Sequence, residues 1–576
     1  MTTVEEVRTQ LTAPGGMFEI VTETVDGIEL QVYKERMPNL WSIPEMSLLR
    51  GDQTFLKYGD DEWSFTRFIE TANGVGHALR DDAGIGHGDR VAVLSQNNPE
   101  WCLTFWATVT GGAILVGLNG WWKAEEVVYG LQDSGAKVLV ADEKRFARIA
   151  DQLDECPDLE RVYLVGCDPQ DFAEVVGEAH AAKLHRYDEL TGAPTSTFLD
   201  TAIAEDDTAV IFYSSGTTGK PKGIMSTHRN MIANLQNTIF NSVAGSMTGG
   251  GAIPAGDDSQ TVSLFTSPLF HVSGCHSTLV VGMVAGLKLV MPVGKFEPED
   301  ALRIIEDEKV NVWATVPTMI WRVCEYPDRH DFDTSTVTSV AFGGSPSADE
   351  LQRKIRDTFP NVKTTSNAYG LTESSSVATV NTGQGAIDKP ASVGPPVPTV
   401  EIQVIDAAGE ALPVGDVGEI CIKGPIIMKG YWNKPEATAE TLVDGWLRTG
   451  DIGYVDDEGF VFITDRKKDM IIRGGENIYC VEIEERLVGH PEIADAAVYG
   501  VPHDELGEEV KATVQLEAGS SLTEADVRQW VADGLANFKV PAYLDLTTDK
   551  LPRNASGKLL KNVLRGEGVV SFEETM

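Results

Sequence analysis

With 576 residues, 42% of them hydrophobic and 23% charged, the chain is too long for one ordinary core and reads as several packed globular units. Its formal net charge of −40 opposes nucleic acid and anionic membranes as general partners, so any anion must be held by a local cluster of donors. Seven cysteines in an odd count, with no CxxC or Cys/His ligand spacing, argue for reduced thiols and against a disulfide framework or structural zinc.

The opening "MTTVEEVRTQ" has no apolar h-region, so a cytoplasmic protein without a signal peptide is expected. "RVAVLS" (Arg90 to Ser95) reads as a buried strand and the following "PEWCLTFWATVTGG" as a helix. "TAVIFYSS", from Thr208, is strand-like again. "GSMTGGGAIPAGDDS" (Gly245 to Ser259) lacks Lys and Arg and reads as a flexible surface loop rather than a phosphate site. "LVVGMVAGLKLVMPV" (Leu279 to Val293) is too short to cross a bilayer, contains Lys288 and reads as one buried element. "VTSVAFGG" (Val337 to Gly344) is a further strand, with Ser347 and Glu350 at capping-box spacing before a helical period. Strand, glycine turn and helix, repeated, predict an α/β architecture with substantial parallel sheet, whose ligands sit at loops leaving the carboxyl ends of strands. From the charged break "TDRKKDM" near residue 465 onward, the text resembles a small α+β unit of its own.

"YSSGTTGKPKG" (Tyr213 to Gly223) concentrates chemistry suited to phosphate. Gly216, Gly219 and Gly223 allow tight turns and close backbone approach. The hydroxyls of Ser214, Ser215, Thr217 and Thr218 can donate to phosphate oxygens, and Lys220 and Lys222 add charge-assisted bonds. The Walker spacing is absent, because Gly216 and Gly219 are too close and Pro221 follows Lys220.

The loop resembles the phosphate-binding signature of the adenylate-forming superfamily, which includes acyl-CoA synthetases, carrier-loading adenylation domains and beetle luciferases. Four further stretches in the same order, from about residue 50 to 565, strengthen the likeness. "NAYGLTESS" (Asn367 to Ser375) resembles the second signature. The resemblance implies that Tyr369 lies against adenine, Thr372 contacts the α-phosphate, and Glu373 binds Mg²⁺ together with Thr218. Gly344, Ser345, Asn367, Ala368 and Gly370 would complete the nucleotide side, with Asn-Ala where many members have Gln-Gly. In "RTGDIGYVDDEGFVFITDRKKDM", Asp451 and Arg466 would hold the ribose hydroxyls and the neighbouring oxygens. Lys468 falls at the family's hinge, Gly474 and Gly475 at its pantetheine channel, and Lys558 of "NASGK" at the mobile lysine that serves adenylation. Arg466, Lys467, Lys468 and Arg473 against Asp469 form a local positive patch. His271 in "SPLFHVSGCHS" would border the substrate carboxylate, although a buried structural His reads equally well. Cys480 replaces a common Pro and reads as a small hydrophobe at a helix start.

The implied fold is α/β: a large N-terminal domain of layered α/β subdomains (1–466) and a small mobile α+β C-terminal domain (467–576). The implied reaction is ATP- and Mg²⁺-dependent conversion of a carboxylic acid to acyl-AMP, then transfer to CoA, with Lys558, Thr218, Glu373, Lys222 and His271 at the chemistry. Small or apolar residues (Val272, Gly274, Cys275, Ala341, Gly343, Gly344, Val377, Ala378) near the acyl position, with no acid to hold an α-ammonium, favour a fatty or other apolar acid over an amino acid. Alternatives are a freestanding carrier protein as acceptor, a luciferase-like oxygenase, or a noncatalytic nucleotide-binding protein. The expected partners are the acid and CoA, with a homodimer left open.

Overall fold

The computed structural model describes residues 4–214, 220–248, 260–343, 349–362, 365–474, 476–503, 505–553 and 559–566. Ser215, Gly216, Thr217, Thr218, Gly219, Gly344, Ser345, Ser347, Gly475 and Lys558 lie outside them, as does most of the glycine-rich stretch.

Two eight-stranded sheets dominate the chain. In the first, strands Arg90–Leu94, Ile114–Gly117, Val138–Asp142, Arg161–Val165, Leu184–Arg186 and Thr208–Tyr213 run parallel. Gly223–Thr227 turns back antiparallel on Thr208–Tyr213, and the phosphate-loop sequence lies between these two strands in the chain. In the second sheet, Thr54–Tyr58, Lys288–Met291, Val262–Leu264, Val312–Thr315, Ser339–Gly343 and Thr365–Tyr369 are parallel, with an antiparallel strand at each edge.

Alternation along the strands explains the layering. Val91, Val93, Val138, Val140, Val210 and Phe212 face one core, which also holds Phe55, Leu56, Leu289 and Met291 of the second sheet. Their neighbours Ala92, Leu94, Leu139, Ala141 and Ile211 face a second core on the outer side. Leu264, Val340 and Phe342 look the other way, into a third. A period of two thus splits each strand between two helix layers, and one helical layer is shared by both sheets.

That shared layer contains Pro99–Thr110, in which every residue except Glu100 is buried. Asn98 caps it by accepting from Trp101 N at 2.8 Å, Pro99 suits the first turn, and the chain leaves through Gly111 and Gly112. Burying each of its aromatic side chains, Trp101, Phe105 and Trp106, contributes about 2–3 kcal/mol. The apolar run 279–293 is two elements rather than one: helix through Ala285, then strand Lys288–Met291. Gly286 makes the break at φ 72°, a left-handed position that favours glycine.

A five-stranded sheet (Glu401–Ile405, Gly418–Lys423, Leu442–Val443, Trp446–Val455, Val461–Arg466) follows. Another, built from Ile471–Arg473, Glu476–Ile478, Ile493–His503, Gly507–Leu516 and Tyr543–Thr547, packs on helices Cys480–Val488 and Glu524–Ala532 around its own core. No helix among the described residues is long and apolar enough to cross a membrane.

Candidate active site

Sequence motifs follow the carboxyl ends of parallel strands: Ser214 comes after Thr208–Tyr213 and Gly370 after Thr365–Tyr369, while Gly344 and Ser345, next in sequence after Ser339–Gly343, lie outside the described residues. The phosphate hairpin is closed at its base, where Ser214 N donates to Lys222 O at 2.9 Å and Lys222 N to Ser214 Oγ at 3.1 Å. Gly343 pairs with Ala368, and a Cβ at Gly343 would sit 2.4 Å from Ala368 O, so the close approach there requires glycine. Asn367 is buried within this strand.

Two groups of side chains meet beyond these strand ends. In one, Asp451 and Arg466 face each other across antiparallel strands, with Arg466 Nε 2.6 Å from Asp451 Oδ1. The Tyr369 hydroxyl donates to the other carboxylate oxygen at 2.7 Å. Asp451 is 2% exposed, and its N–H donates to Thr449 Oγ1 at 3.0 Å. Burial and the Asp451 carboxylate push the Tyr369 phenol well above its usual range. In the other group, the Tyr431 hydroxyl donates to Glu373 Oε1 at 3.1 Å, and Lys222 Nζ lies 4.8 Å from the centre of the Tyr431 ring. Burial raises the Glu373 pKa, while Arg466 opposes the rise across the gap between the groups.

The chemistry of this set fits a nucleotide with its metal. Glu373 is a hard carboxylate whose charge is penalised by burial, a penalty a divalent cation would relieve. No group of three or more His, Cys, Asp or Glu ligands occurs among the described residues. Mg²⁺ is commonly held by one or two carboxylates plus substrate phosphates and waters, and Glu373 can supply one such carboxylate. Asp451 and Arg466 offer an acceptor and a planar donor fork side by side, suited to a ribose diol and its neighbouring oxygens.

Other predicted residues lie elsewhere. Lys220 is exposed and packs 4.8 Å from the centre of the Tyr129 ring, in a group with Asp133 and Lys434. Thr372 opens the short turn that carries Glu373. His271 is half-buried and caps the start of helix Val272–Gly274, its Nδ1 3.1 Å from Ser273 Oγ. Desolvation lowers its pKa to about 4, so its imidazole is neutral at neutral pH. Val272, Gly274, Cys275 and Ala378 are buried, and Val377 is half-buried.

The positive patch at the domain junction is largely neutralised. Lys467 pairs with Glu419 at 3.0 Å, Arg466 with Asp451 and Arg473 with Glu509 at 2.6 Å. Lys468 and Gly474 are exposed there. Cys480 is fully buried at the first turn of helix Cys480–Val488, as a small hydrophobe would be.

Sequence reasoning missed three residues here. Tyr431 and Glu419 belong to no recognised motif, and Glu419 also accepts from Gly450 N at 3.1 Å. Asp465, 3% exposed, accepts from Cys480 N and so caps the helix from outside it. Burial raises the Asp465 pKa to about 6. A carboxyl raised in this way contributes stability below about pH 4 that is lost as pH rises through 6. Asp465→Asn keeps an acceptor without an ionisation cost. Its thermal stability relative to the parent is expected to improve by about 1 kcal/mol between pH 5 and pH 7.5. A pH-independent difference in melting would show that Asp465 is not strained by ionisation.

The family model described as "AMP-binding enzyme" matches residues 48–432, and "AMP-binding enzyme C-terminal domain" matches 482–558. A feruloyl-CoA synthase of Amycolatopsis sp. is 32% identical over 515 residues, covering 89% of this chain and 95% of the relative. A long-chain-fatty-acid–CoA ligase of Bacillus subtilis is 33% identical over 506 residues, covering 84% and 86%. The solved o-succinylbenzoate coenzyme A synthetase of B. subtilis, in complex with ATP and magnesium ion, superposes with a TM-score of 0.74 at 28% identity over 92% of this chain and all of that one.

Fold and matches together define an adenylate-forming acid–thiol ligase, which uses ATP, Mg²⁺ and CoA. The chain belongs to the AMP-binding enzyme family, in which ATP-dependent activation of an acid to acyl-AMP and its ligation to CoA occur.

Proposed function

We propose that this protein is a cytoplasmic acyl-CoA synthetase acting on a fatty or other predominantly apolar acid. The observation that carries the nucleotide half is the convergence of Asp451, Arg466, Tyr369, Glu373 and Lys222 at the strand ends. The acyl half rests on the small and apolar residues near His271 and on the absence of an acid that would hold an α-ammonium.

In the first half-reaction the acid's carboxylate attacks the α-phosphorus of ATP, releasing pyrophosphate and leaving acyl-AMP. Asp451 and Arg466 orient the ribose, and Tyr369 presents an aromatic face to adenine. Lys222, Lys558 and the loop hydroxyls, Thr218 among them, stabilise charge on the phosphoryl oxygens. Mg²⁺ bound at Glu373 and Thr218 would supply further charge neutralisation. His271, neutral at working pH, borders the carboxylate without serving as acid or base. In the second half-reaction the CoA thiol displaces AMP, entering past Gly474 and Gly475 where absent side chains leave room for a thin ligand.

The test is pyrophosphate release with Mg-ATP across acids of graded chain length and ring content, with and without CoA. Release that rises with CoA and yields a thioester is expected, strongest for apolar acids. A single burst without thioester would instead point to a carrier protein as acceptor, and nucleotide binding without release would overturn the ligase reading for this chain.

A further inference from the structure

Both ends of the phosphate-loop sequence are tied to one carboxylate that belongs to no motif. Asp133 lies in the last turn of helix Ala124–Ser134, and its side chain is 7% exposed. Its Oδ1 accepts from the Lys434 ammonium at 2.8 Å and from the Tyr129 hydroxyl at 3.2 Å. Its Oδ2 accepts from the Tyr213 hydroxyl at 3.1 Å, and its backbone carbonyl accepts from Trp432 Nε1 at 3.0 Å. Four donors from three separate segments meet on this one residue. A carboxylate so little exposed is costly unless donors satisfy both oxygens, and here they do.

Each of these donors leads to the loop. Tyr213 ends its strand and precedes Ser214, whose Oγ accepts from Lys222 N at 3.1 Å. Burial and then the Asp133 carboxylate raise the Tyr213 phenol well above its usual range, so it remains a donor. Trp432 closes the other end, where its backbone N–H donates to Gly223 O at 2.7 Å, next to the pairing of Tyr431 with Ile224. The two lysines of the loop diverge. Lys220 leans on the Tyr129 ring, 4.8 Å from its centre, within the Asp133 group. Lys222 leans at 4.8 Å on the Tyr431 ring, which bonds Glu373.

We propose that Asp133 is a positioning residue for adenylation: from outside the site it fixes both ends of the phosphate-loop sequence, Tyr213–Ser214 directly and Lys222–Gly223 through Trp432, and so sets the hold on the polyphosphate of ATP. A sequence with glycines at 216, 219 and 223 has many open backbone conformations. Fixing its ends removes part of the ordering cost of closing on a ligand and aims Lys222 toward Glu373 rather than toward solvent. Asp133 itself touches no substrate in this account. The assignment rests on the nucleotide reading of the site and adds a residue to it.

The experiment uses the full chain and compares the parent with Asp133→Ala, Asp133→Asn, Tyr213→Phe and Lys434→Met. It measures the Kd for Mg-ATP and for AMP by calorimetry, and the rates of pyrophosphate exchange and of thiolysis of supplied acyl-AMP. AMP and acyl-AMP carry a single phosphate, so neither depends on the hold on a polyphosphate. Asp133→Ala should lower kcat/KM for ATP in exchange by on the order of a hundredfold, as a small misplacement of binding groups does. Its Kd for ATP should rise, while its Kd for AMP and its thiolysis rate stay near those of the parent. Tyr213→Phe and Lys434→Met should shift ATP in the same direction by less. Asp133→Asn should recover most of the activity, because its amide can accept from Lys434 and donate to the Tyr213 oxygen while Tyr213 keeps its bond to Gly130 O at 3.2 Å.

Equal weakening of ATP and AMP, with exchange and thiolysis falling together, overturns the proposal and makes Asp133 a fold-stabilising residue only. Unchanged ATP affinity and exchange in Asp133→Ala overturn it as well. Should that variant fail to fold, Tyr213→Phe and Lys434→Met decide by the same ATP-to-AMP ratio, and no shift in either overturns the assignment. A parent that binds ATP but releases no pyrophosphate with any acid is a different result. It overturns the ligase reading, and the two nucleotide affinities still test Asp133.

Discussion

Replacing Lys558 by alanine is expected to abolish acyl-adenylate formation while sparing thiolysis of acyl-AMP supplied from outside. The first half-reaction builds charge on the α-phosphoryl oxygens and asks little covalent chemistry of the protein, so positioned donors carry most of the rate. Removing one such donor costs about 3 kcal/mol, on the order of a hundredfold or more in kcat. Lys222 already lies near Glu373 through the Tyr431 ring, but on the proposed assignment adenylation needs a second cation, Lys558, at the phosphate. Thiolysis releases AMP and does not need Lys558 at the carboxylate. Parallel rates of pyrophosphate exchange and of acyl-AMP consumption by CoA check this. Equal loss of both activities would remove Lys558 from the adenylation step.

The mirror-image variant is Lys468→Pro. Residues 467–469 form the short turn between the strand ending at Arg466 and the strand beginning at Ile471, and Asp469 N and Met470 N both donate to Arg466 O. On the proposed domain alternation, rotation of the C-terminal unit would pass through φ/ψ changes in this turn. Proline fixes φ near −65° and restricts the residue before it. Adenylation should therefore remain measurable, within about tenfold of the parent, while transfer to CoA falls by on the order of a hundredfold or more. Acyl-AMP should accumulate on the enzyme. Normal thioester turnover in Lys468→Pro would count against alternation about this turn.

The two variants divide the reaction between them, and that division bears on how the site is assembled. Asp465 caps helix Cys480–Val488 from the last strand before the turn, so the same few residues both terminate one sheet and fasten the next unit. A change in the angle between the units must release or carry that cap.

Much of the framework could be read locally. "RVAVLS" and "PEWCLTFWATVTGG" announce a strand and a helix because alternation, an Asn cap and an N-terminal Pro are short-range signals, and the chain folds as they indicate. The phosphate loop is legible for the same reason: its hydroxyls, glycines and lysines are contiguous. Less legible was the run from Leu279 to Val293, where uniform hydrophobicity hides the helix-to-strand change that Gly286 makes.

By itself, then, the sequence determined the α/β alternation, the order of the motifs and the class of chemistry, since each depends on residues within a few positions of one another. Only the tertiary structure decided which charges answer which. Strand register puts Arg466 on Asp451, distant acids neutralise Lys467 and Arg473, and Tyr431 is placed beneath Lys222 and against Glu373. It also set His276 Nδ1 against Ser375 O and Asn234 Oδ1 against Val377 N. These pairings join residues up to two hundred or so positions apart. Coulomb and hydrogen-bond energies act over a few ångströms of space, and sequence separation does not reveal that distance.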